Sequence, residues 1–174
     1  MNSEKILEIV NKCDILKKTF RGIYARDILP KRLYSNKHSS AYIINLDKHT
    51  GYGTHWIAIY IPRRKDYIEY FDSTGQLPYY NTLKRFVSKR KHYVYNNIRL
   101  QSYMSTTCGQ YCLFYLCARV HGLKPHEILS LFKTDDYTFN DYFVNSAING
   151  IFNTDLDVYD IDFLNHIFNR KSMS

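Results

Sequence analysis

The order of patterned segments along this sequence predicts an α+β fold. A helical pattern comes first, then several strand-like runs, two of which read as an antiparallel hairpin, and then further helical patterns. Strands and helices that are grouped in this way, instead of alternating, favour an α+β arrangement over a parallel α/β sheet. At 174 residues the chain has the length of one well-packed domain, and we expect residues 1–174 to form it.

The first third of the chain changes from a helical to a strand pattern. Apolar residues at helical spacing over residues 4–18 predict one amphipathic helix, with Cys13 on its apolar face. Residues 20–33 combine a Gly, a Pro and mixed polarity, and we expect a loop with a short helical turn. The β-branched run at residues 41–46 predicts a buried strand, and residues 47–54, which hold two glycines, predict a turn.

Two strand-like runs, residues 55–61 and 66–72, flank the polar segment PRRK and predict a β-hairpin. A four-residue turn would place His55 directly opposite Asp72, on one face of the sheet with Cβ atoms about 4.5–5.5 Å apart. A hydrogen bond between them would fix the ring tautomer and favour the imidazolium. A slip of one residue would turn one side chain away, and His55 would then be an exposed polar residue at the start of a strand.

The second half of the sequence is mainly helical in pattern. Before the helix that follows residue 107, we expect a loop at 73–80, a surface helix at 81–91 and a strand at 93–100. After it, we expect helices at 125–132, 140–152 and 160–168. The helix at 125–132 opens with Pro followed by an early Glu, which is a strong helix start. No internal repeat or low-complexity tract interrupts the pattern.

The stretch at residues 100–123, LQSYMSTTCGQYCLFYLCARVHGL, carries the candidate nucleophile. Apolar residues in its second half recur at helical spacing, and Gly122 stands where the helix should stop. The hydroxyls of residues 105–107 can accept hydrogen bonds from backbone N–H groups at the helix start. Cys108 then lies at the positive end of the helix dipole, which lowers the pKa of a thiol and raises its nucleophilicity at neutral pH.

Neighbouring residues complete a set for acyl transfer. Gln101 is a neutral donor able to face a developing oxyanion, and Gly109 leaves room for a substrate backbone. A reactive cysteine, a histidine oriented by a carboxylate and such a donor suit thiol proteolysis. Alternatively, Cys108 is a small buried residue that opens an amphipathic helix. The spacing Cys108-x3-Cys112-x4-Cys117 contains no C-x-x-C pair, which argues against a metal site.

The amino-acid composition limits which cellular compartment and which binding partners we expect. The net charge is +8, and basic residues cluster at residues 63–65 and 84–91. Such patches attract DNA or other polyanions, although a solvated basic face explains them equally well. The four cysteines do not resemble a disulfide framework, and no apolar run approaches the roughly 20 residues that span a bilayer. We therefore expect a reducing, intracellular setting and no membrane.

Three segments resemble the adenovirus-type cysteine proteases (adenain) and the related SUMO-specific proteases. They are GTHWIAIYI, YIEYFDSTG and QSYMSTTCGQYC, within a region of about residues 41–122. The order His, acid, Gln, Cys separates this group from papain-like enzymes, in which the cysteine comes first. The resemblance implies a small central, mostly antiparallel sheet flanked by helices. It also implies that His55, Asp72 and Cys108 are catalytic, with Gln101 in the oxyanion hole.

The resemblance extends to candidate substrate contacts. Asn45, ten positions before His55, resembles an asparagine close to the substrate groove of adenain. Trp56 and Gly109, which directly follow the candidate catalytic histidine and cysteine, are the other expected substrate-binding residues. Adenain carries a glutamate as its acid, whereas the SUMO proteases carry an aspartate, as here. No cysteine lies between Asp72 and the candidate nucleophile, which argues against an activator peptide linked there by a disulfide.

These features predict a cysteine endopeptidase that cleaves viral capsid precursor proteins during virion maturation. We expect a monomer that needs no cofactor for chemistry, with DNA or a viral peptide as a candidate activator. A compact chain of this kind favours a virus, virophage or virus-like transposon, acting inside the infected cell and packaged in the virion. The alternatives are a protease that deconjugates SUMO- or ubiquitin-like proteins, and a non-catalytic basic protein that binds nucleic acid in the virion.

Overall fold

The computed structural model describes residues 1–33 and 37–152. The helices and strands in chain order are α1 (Ser3–Lys12), α2 (Asp14–Thr19), β1 (Phe20–Ala25), β2 (Ser40–Asn45), β3 (Trp56–Ile61), β4 (Tyr67–Phe71), α3 (Asn81–Val87), β5 (His92–Tyr95), α4 (Cys108–Val120), α5 (Pro125–Leu129) and α6 (Tyr137–Phe152). The helix predicted at 160–168 lies outside the described residues. No helix within the described ranges is long and apolar enough to cross a membrane.

The strands form one five-stranded mixed sheet in the order β1-β2-β3-β4-β5. The three central strands are antiparallel to one another, and each edge strand runs parallel to its neighbour. The chain enters β5 from β4 through α3, as a parallel pair requires a crossover connection. The predicted α+β fold is confirmed, with the antiparallel pairs at the centre of the sheet.

Helices cover both faces of this sheet. On one face, Ala41, Ile43 and Phe71 pack in the core cluster that includes α4 and parts of α1, α2, α5 and α6. On the other face, Tyr42 and Ile44 pack in the cluster that includes α3. Every residue of β2 and β3 is buried as a result. A strand buried on both faces reads as a continuous apolar run, which is why the sequence shows no polar alternation there.

The β3–β4 hairpin is confirmed, but its register differs from the expected one by two residues. Ala58 lies opposite Phe71 and Tyr60 lies opposite Glu69, so the direct pairing predicted between the flanking histidine and aspartate is wrong. The connection is longer than the assumed four residues: it runs from 62 to 66 and includes Arg64 in the left-handed region, at φ 58°. A shift by an even number of residues leaves every side chain on its predicted face.

Two predictions for the first 33 residues are wrong. The single helix expected at 4–18 is divided at Cys13, whose backbone is extended (φ −107°, ψ 99°). The loop expected from residue 20 begins with β1 instead. Its mixed polarity follows from its position at the sheet edge, where all six residues are half-buried. Gly22, at φ +130°, lies where the β1–β2 register shifts, and glycine tolerates such an irregularity.

The remaining elements occur where the pattern placed them, with different ends. The helix expected at 81–91 ends at Val87, and the strand expected at 93–100 ends at Tyr95. The helix expected at 125–132 ends at Leu129, whereas the one expected at 140–152 begins earlier, at Tyr137. These differences lie at element ends, where tertiary contacts outweigh local propensity.

Candidate active site

Cys108 is the first residue of α4, and its side chain is buried, with 6% of its surface exposed. The predicted position at the helix N-terminus is therefore confirmed. Helix capping by the preceding hydroxyl is not: Thr107 makes no side-chain cap and instead donates its hydroxyl to Asp141 Oδ1, 3.1 Å away. The thiol thus begins a helix whose first turn keeps its backbone N–H groups directed towards the site.

His55 directly precedes β3, and its ring connects a carboxylate to the thiol. Its Nε2 lies 2.8 Å from Oδ1 of Asp72, and its side chain is 20% exposed whereas that of Asp72 is 1% exposed. Because an ionised carboxylate only accepts hydrogen bonds, Nε2 carries the proton. The imidazole is also in hydrogen-bond contact with the thiol of Cys108, for which Nδ1 is the remaining ring nitrogen.

The pKa values of the thiol and the ring move in the directions that favour an ion pair. Burial lowers the pKa of His55, but its hydrogen bonds to Asp72 and Cys108 outweigh burial and raise it to about 9. Burial raises the pKa of Cys108, yet the His55 hydrogen bond and the backbone N–H groups of Trp56 and Gly109 bring it below its ordinary value. Both shifts therefore favour a thiolate beside an imidazolium over the neutral pair.

Two residues hold the acidic member in place. Thr74 donates its backbone N–H and its hydroxyl to Asp72 Oδ1, at 2.8 and 2.7 Å. Asn96, buried at the end of β5, accepts the Asp72 N–H at 2.8 Å and donates to its carbonyl at 2.5 Å. The Asp-Ser-Thr turn was detectable in the sequence as an Asx turn. Asn96 was not detectable, because only the parallel β4–β5 pairing brings it near.

Gly75 closes the turn that follows the acid. Its N–H donates to the carbonyl of Asp72 at 2.8 Å, and its φ of +74° is a conformation that favours glycine. A Cβ there would lie 2.6 Å from the carbonyl of Ile98. The segment that leads to α4 therefore packs directly on the backbone of this turn, which places residues 98–101 beside the acid.

Gln101 is 3% exposed, and its amide is oriented by two hydrogen bonds. Its Oε1 accepts from the Ser73 hydroxyl at 2.6 Å, and its Nε2 donates to the carbonyl of Ser105 at 2.8 Å. An amide nitrogen carries two hydrogens, and within residues 1–33 and 37–152 only this one hydrogen bond from Nε2 is found. The second N–H is available to a bound oxyanion, and that role stays a prediction.

The predicted substrate-binding residues lie close to one another around the N-terminal residue. Asn45 and Trp56 line one cavity of about 550 Å³. Trp56 Nε1 donates to the carbonyl of Met1 at 3.0 Å. A Cβ added to Gly109 would lie 3.1 Å from Cβ and Sδ of Met1. Met1 therefore lies against both Trp56 and Gly109, beside Cys108, and the predicted contacts with substrate stay predictions.

The other cysteines are core residues. Cys112 and Cys117 lie on α4 with 0% and 1% of their surfaces exposed, and burial raises the pKa of Cys112 well above its usual value. Cys13 is half-buried and in hydrogen-bond contact with Cys117. In the described part of the chain, no group of three or more His, Cys, Asp or Glu side chains is arranged to hold a metal ion. Cys112 and Cys117 contribute to the packing of the core.

Comparison with known proteins finds viral cysteine proteases that are similar to this chain in sequence. No protein-family model matches the chain. In an alignment of 148 positions that covers 78% of the chain, it is 31% identical to the SUMO-1 cysteine protease of African swine fever virus. It is 30% identical, over the same length, to the protein named cysteine protease in the Badajoz strain of that virus. The chain is a homologue of this viral cysteine protease.

The African swine fever virus protease is longer than the homologous region. The chain spans 54% of the length of the relatives it matches. The crystal structure of the pS273R protease of that virus superposes with a TM-score of 0.57, covering 80% of this chain and 65% of that one at 23% identity. This likeness confirms the α+β cysteine-protease fold. The resemblance to the adenain and SUMO-protease group is thereby confirmed as well.

Proposed function

We propose that this chain is a cysteine endopeptidase in which Cys108 is the nucleophile. His55 is the acid–base and Asp72 orients it. The single observation that carries the proposal is the imidazole held between a buried carboxylate, at 2.8 Å, and a thiol at a helix N-terminus. Homology to viral proteins named cysteine proteases supports it.

The reaction follows from these positions. The thiolate of Cys108 attacks the scissile carbonyl carbon, forming a C–S bond while the carbonyl π electrons move to oxygen. The free N–H of Gln101 Nε2 donates to that oxyanion. The intermediate collapses, the C–N bond breaks, and the imidazolium protonates the leaving amine. Neutral His55 then takes a proton from water as the water oxygen attacks the thioester carbonyl carbon. The C–S bond breaks, which releases the carboxylic acid product and regenerates the Cys108 thiolate beside the imidazolium. Asp72 stays ionised throughout and stabilises the imidazolium.

The substrate we propose is a viral structural precursor, such as a capsid protein cleaved during virion maturation. The viral origin of the homologues supports this choice. A second candidate is deconjugation of SUMO- or ubiquitin-like proteins, since one homologue is named a SUMO-1 cysteine protease. We further propose a monomer that acts in the infected cell and the virion, with DNA or a viral peptide as a possible activator and no cofactor for the chemistry.

Alkylation of Cys108 by iodoacetamide across pH tests the nucleophile. We expect wild-type labelling to persist well below the ordinary thiol pKa of about 8.5, because the thiolate is stabilised. His55→Ala should return the profile to that of an ordinary thiol, read by mass spectrometry. Cys13, which is half-buried and in contact with Cys117, serves as an internal control whose labelling the variant should leave unchanged. Identical ordinary profiles in both proteins would refute the activated pair and favour a non-catalytic basic protein.

A parallel assay separates the two substrate classes. Peptides from capsid precursors and SUMO or ubiquitin conjugates are incubated with wild type and Cys108→Ala. We expect cleavage of the capsid peptides alone, abolished in the variant because the reacting sulfur is gone and little packing is lost. Cleavage restricted to the conjugates would replace our substrate with the second candidate. Turnover retained by Cys108→Ala would refute the nucleophile assignment.

A further inference from the structure

The segment before α4, residues 101–107, contains Gln101 and is here called the oxyanion loop. Its middle is exposed: Tyr103 and Met104 have 77% and 94% of their surfaces in solvent. Its two ends, by contrast, are buried, with Gln101 at 3% and Thr107 at 9% exposure. The conformation of this loop therefore depends on what holds its ends, since its centre packs little against the core.

A line of hydroxyl groups connects the loop to α6. Thr107 Oγ1 donates to Asp141 Oδ1 at 3.1 Å, and Ser105 Oγ lies 2.6 Å from Thr107 Oγ1. A hydroxyl has one hydrogen, and that of Thr107 is committed to the carboxylate, so Ser105 is the donor in the second bond. The direction of both bonds is thus set by the one group that only accepts, Asp141.

The same line of hydrogen bonds ends at the Gln101 amide, the donor proposed for the oxyanion. The backbone carbonyl of Ser105 accepts from Gln101 Nε2 at 2.8 Å, and this bond leaves the second N–H of that amide directed elsewhere. A shift of Ser105 would rotate the amide or release it. The position of the Gln101 donor is therefore coupled to Asp141 through Ser105 and Thr107.

Residues from α4 and α6 hold the other end of the loop. The carbonyl of Leu100, directly before Gln101, accepts from the Tyr111 hydroxyl and from Asn140 Nδ2, each at 3.0 Å. The single hydrogen of the Tyr111 hydroxyl is shared between that carbonyl and Asp141 Oδ1, which lies at the same distance of 3.0 Å. Asn140 and Tyr111 are both 0% exposed. Neighbouring residues of α6 thus brace both ends of the oxyanion loop, with Asp141 shared between them.

We infer that Asp141 is a positioning residue for the oxyanion hole, acting through Thr107 and Ser105 on the Gln101 amide. This inference rests on the proposed proteolytic function. Asp141 contacts neither the thiol nor the imidazole, so the ion pair should form without it. Its effect should fall on the step in which negative charge develops on the carbonyl oxygen, because preorganised donors act there.

The test compares two reactions of one cysteine in the full chain. Peptide hydrolysis needs the oxyanion donor, whereas alkylation by iodoacetamide needs only the thiolate. For Asp141→Ala we expect kcat to fall about tenfold, below the 10²–10³-fold cost of deleting an oxyanion donor outright. KM and the pH profile of Cys108 alkylation should match wild type. A merely structural role would instead lower both reactions together, and unchanged kcat would overturn the inference.

Variants of the loop itself supply the matched controls. Thr107→Val removes the linking hydroxyl without changing shape and should reproduce the loss of kcat. Thr106→Val, one position earlier and exposed, should not. Combined with Asp141→Ala, Thr107→Val should add little further loss, as expected for two members of one network. Asp141→Asn keeps an acceptor oxygen and should recover part of the rate. Additive losses, or no loss in Thr107→Val, would overturn the inference.

The result also separates this inference from the proposed function. If wild type fails in both alkylation and hydrolysis, the protease assignment itself fails. If wild type is active and Asp141→Ala equals it in kcat, only the positioning role fails. Should Asp141→Ala not fold, Thr107→Val decides, because it removes the same link from the other side.

Discussion

Single residues set the charge state of the site. The pKa of His55 rises from an ordinary 6.5 to about 9, since its bonds to Asp72 and Cys108 outweigh burial. A folded-state pKa above the unfolded value means that the protonated ring stabilises the fold in full below pH 6.5. That contribution is lost as the pH rises through about 9. The imidazolium thus persists at neutral pH and loses its proton in alkaline solution.

The aspartate can be tested through its charge. In Asp72→Asn a neutral amide replaces the carboxylate that raises the pKa of His55. The pKa of His55 should therefore fall, and less thiolate should exist at neutral pH. We expect kcat/KM to drop roughly 10²-fold, less than the ~10⁴-fold cost of the same change in a serine protease, because a thiol is the better nucleophile. Hydrolysis rates give the loss, with inactive Cys108→Ala as the baseline. An unchanged rate would remove Asp72 from the catalytic set.

At the scale of elements, a buried ion pair joins α4 to the sheet. Arg119 donates through Nε and Nη2 to both carboxylate oxygens of Glu69 on β4, at 2.7 and 2.8 Å. The hydroxyl of Tyr115 donates to the same carboxylate at 2.8 Å. Glu69 is 1% exposed and Arg119 is 10% exposed. This contact links the C-terminal half of the helix that begins with Cys108 to the central sheet.

Breaking that pair should destabilise the fold strongly. Glu69→Gln leaves the Arg119 guanidinium buried without its carboxylate, and we expect the free energy of unfolding to fall by about 3–5 kcal/mol. Urea denaturation followed by circular dichroism measures it. Glu8→Gln is the matched control, because Glu8 pairs with Lys5 and Lys12 on the exposed face of α1 and should have no measurable effect. Equal effects of the two variants would contradict this account.

At the scale of the whole molecule, the chemistry and the basic surface lie on different sides of the sheet. The helix that begins with Cys108 packs on one face, whereas α3, with Lys84 and Arg85 exposed on it, packs on the other. A polyanion bound along α3 would therefore leave the catalytic face open. DNA, which we proposed as an activator, would therefore not compete with substrate if it bound along α3.

DNA binding by this face has a defined signature. We expect the double variant Lys84→Ser, Arg85→Ser to weaken binding to duplexes of any sequence and to reduce the slope of log affinity against log salt by about two, since fewer counterions are released. Fluorescence anisotropy at several salt concentrations measures both. Lys17→Ser, Lys18→Ser removes an equal charge from α2 and serves as the control. Equal losses in both variants would mean that only net charge attracts DNA.

Local patterns in the sequence determined much of this protein. Helical spacing placed Cys108 at the start of α4. The two-residue periodicity of strands placed His55 and Asp72 on one face of the sheet, even though the assumed register differed by two residues from the observed one. A helix start and the face on which a strand residue lies depend on residues nearby in sequence, so the sequence alone predicts them. β1 lies at the sheet edge and has mixed polarity, so its sequence shows no alternation that predicts a strand. The break between α1 and α2 at Cys13 likewise has no signal in the local sequence.

Only the tertiary structure decided what holds the catalytic residues. Asn96 reaches Asp72 through the pairing of β5 with β4, and Asp141 reaches Thr107 from a helix more than thirty positions away. The Thr107 hydroxyl, one of those expected to cap α4, donates instead to that carboxylate. Contacts between distant segments form because the packed core brings them together, and no spacing in the sequence encodes the distance between them.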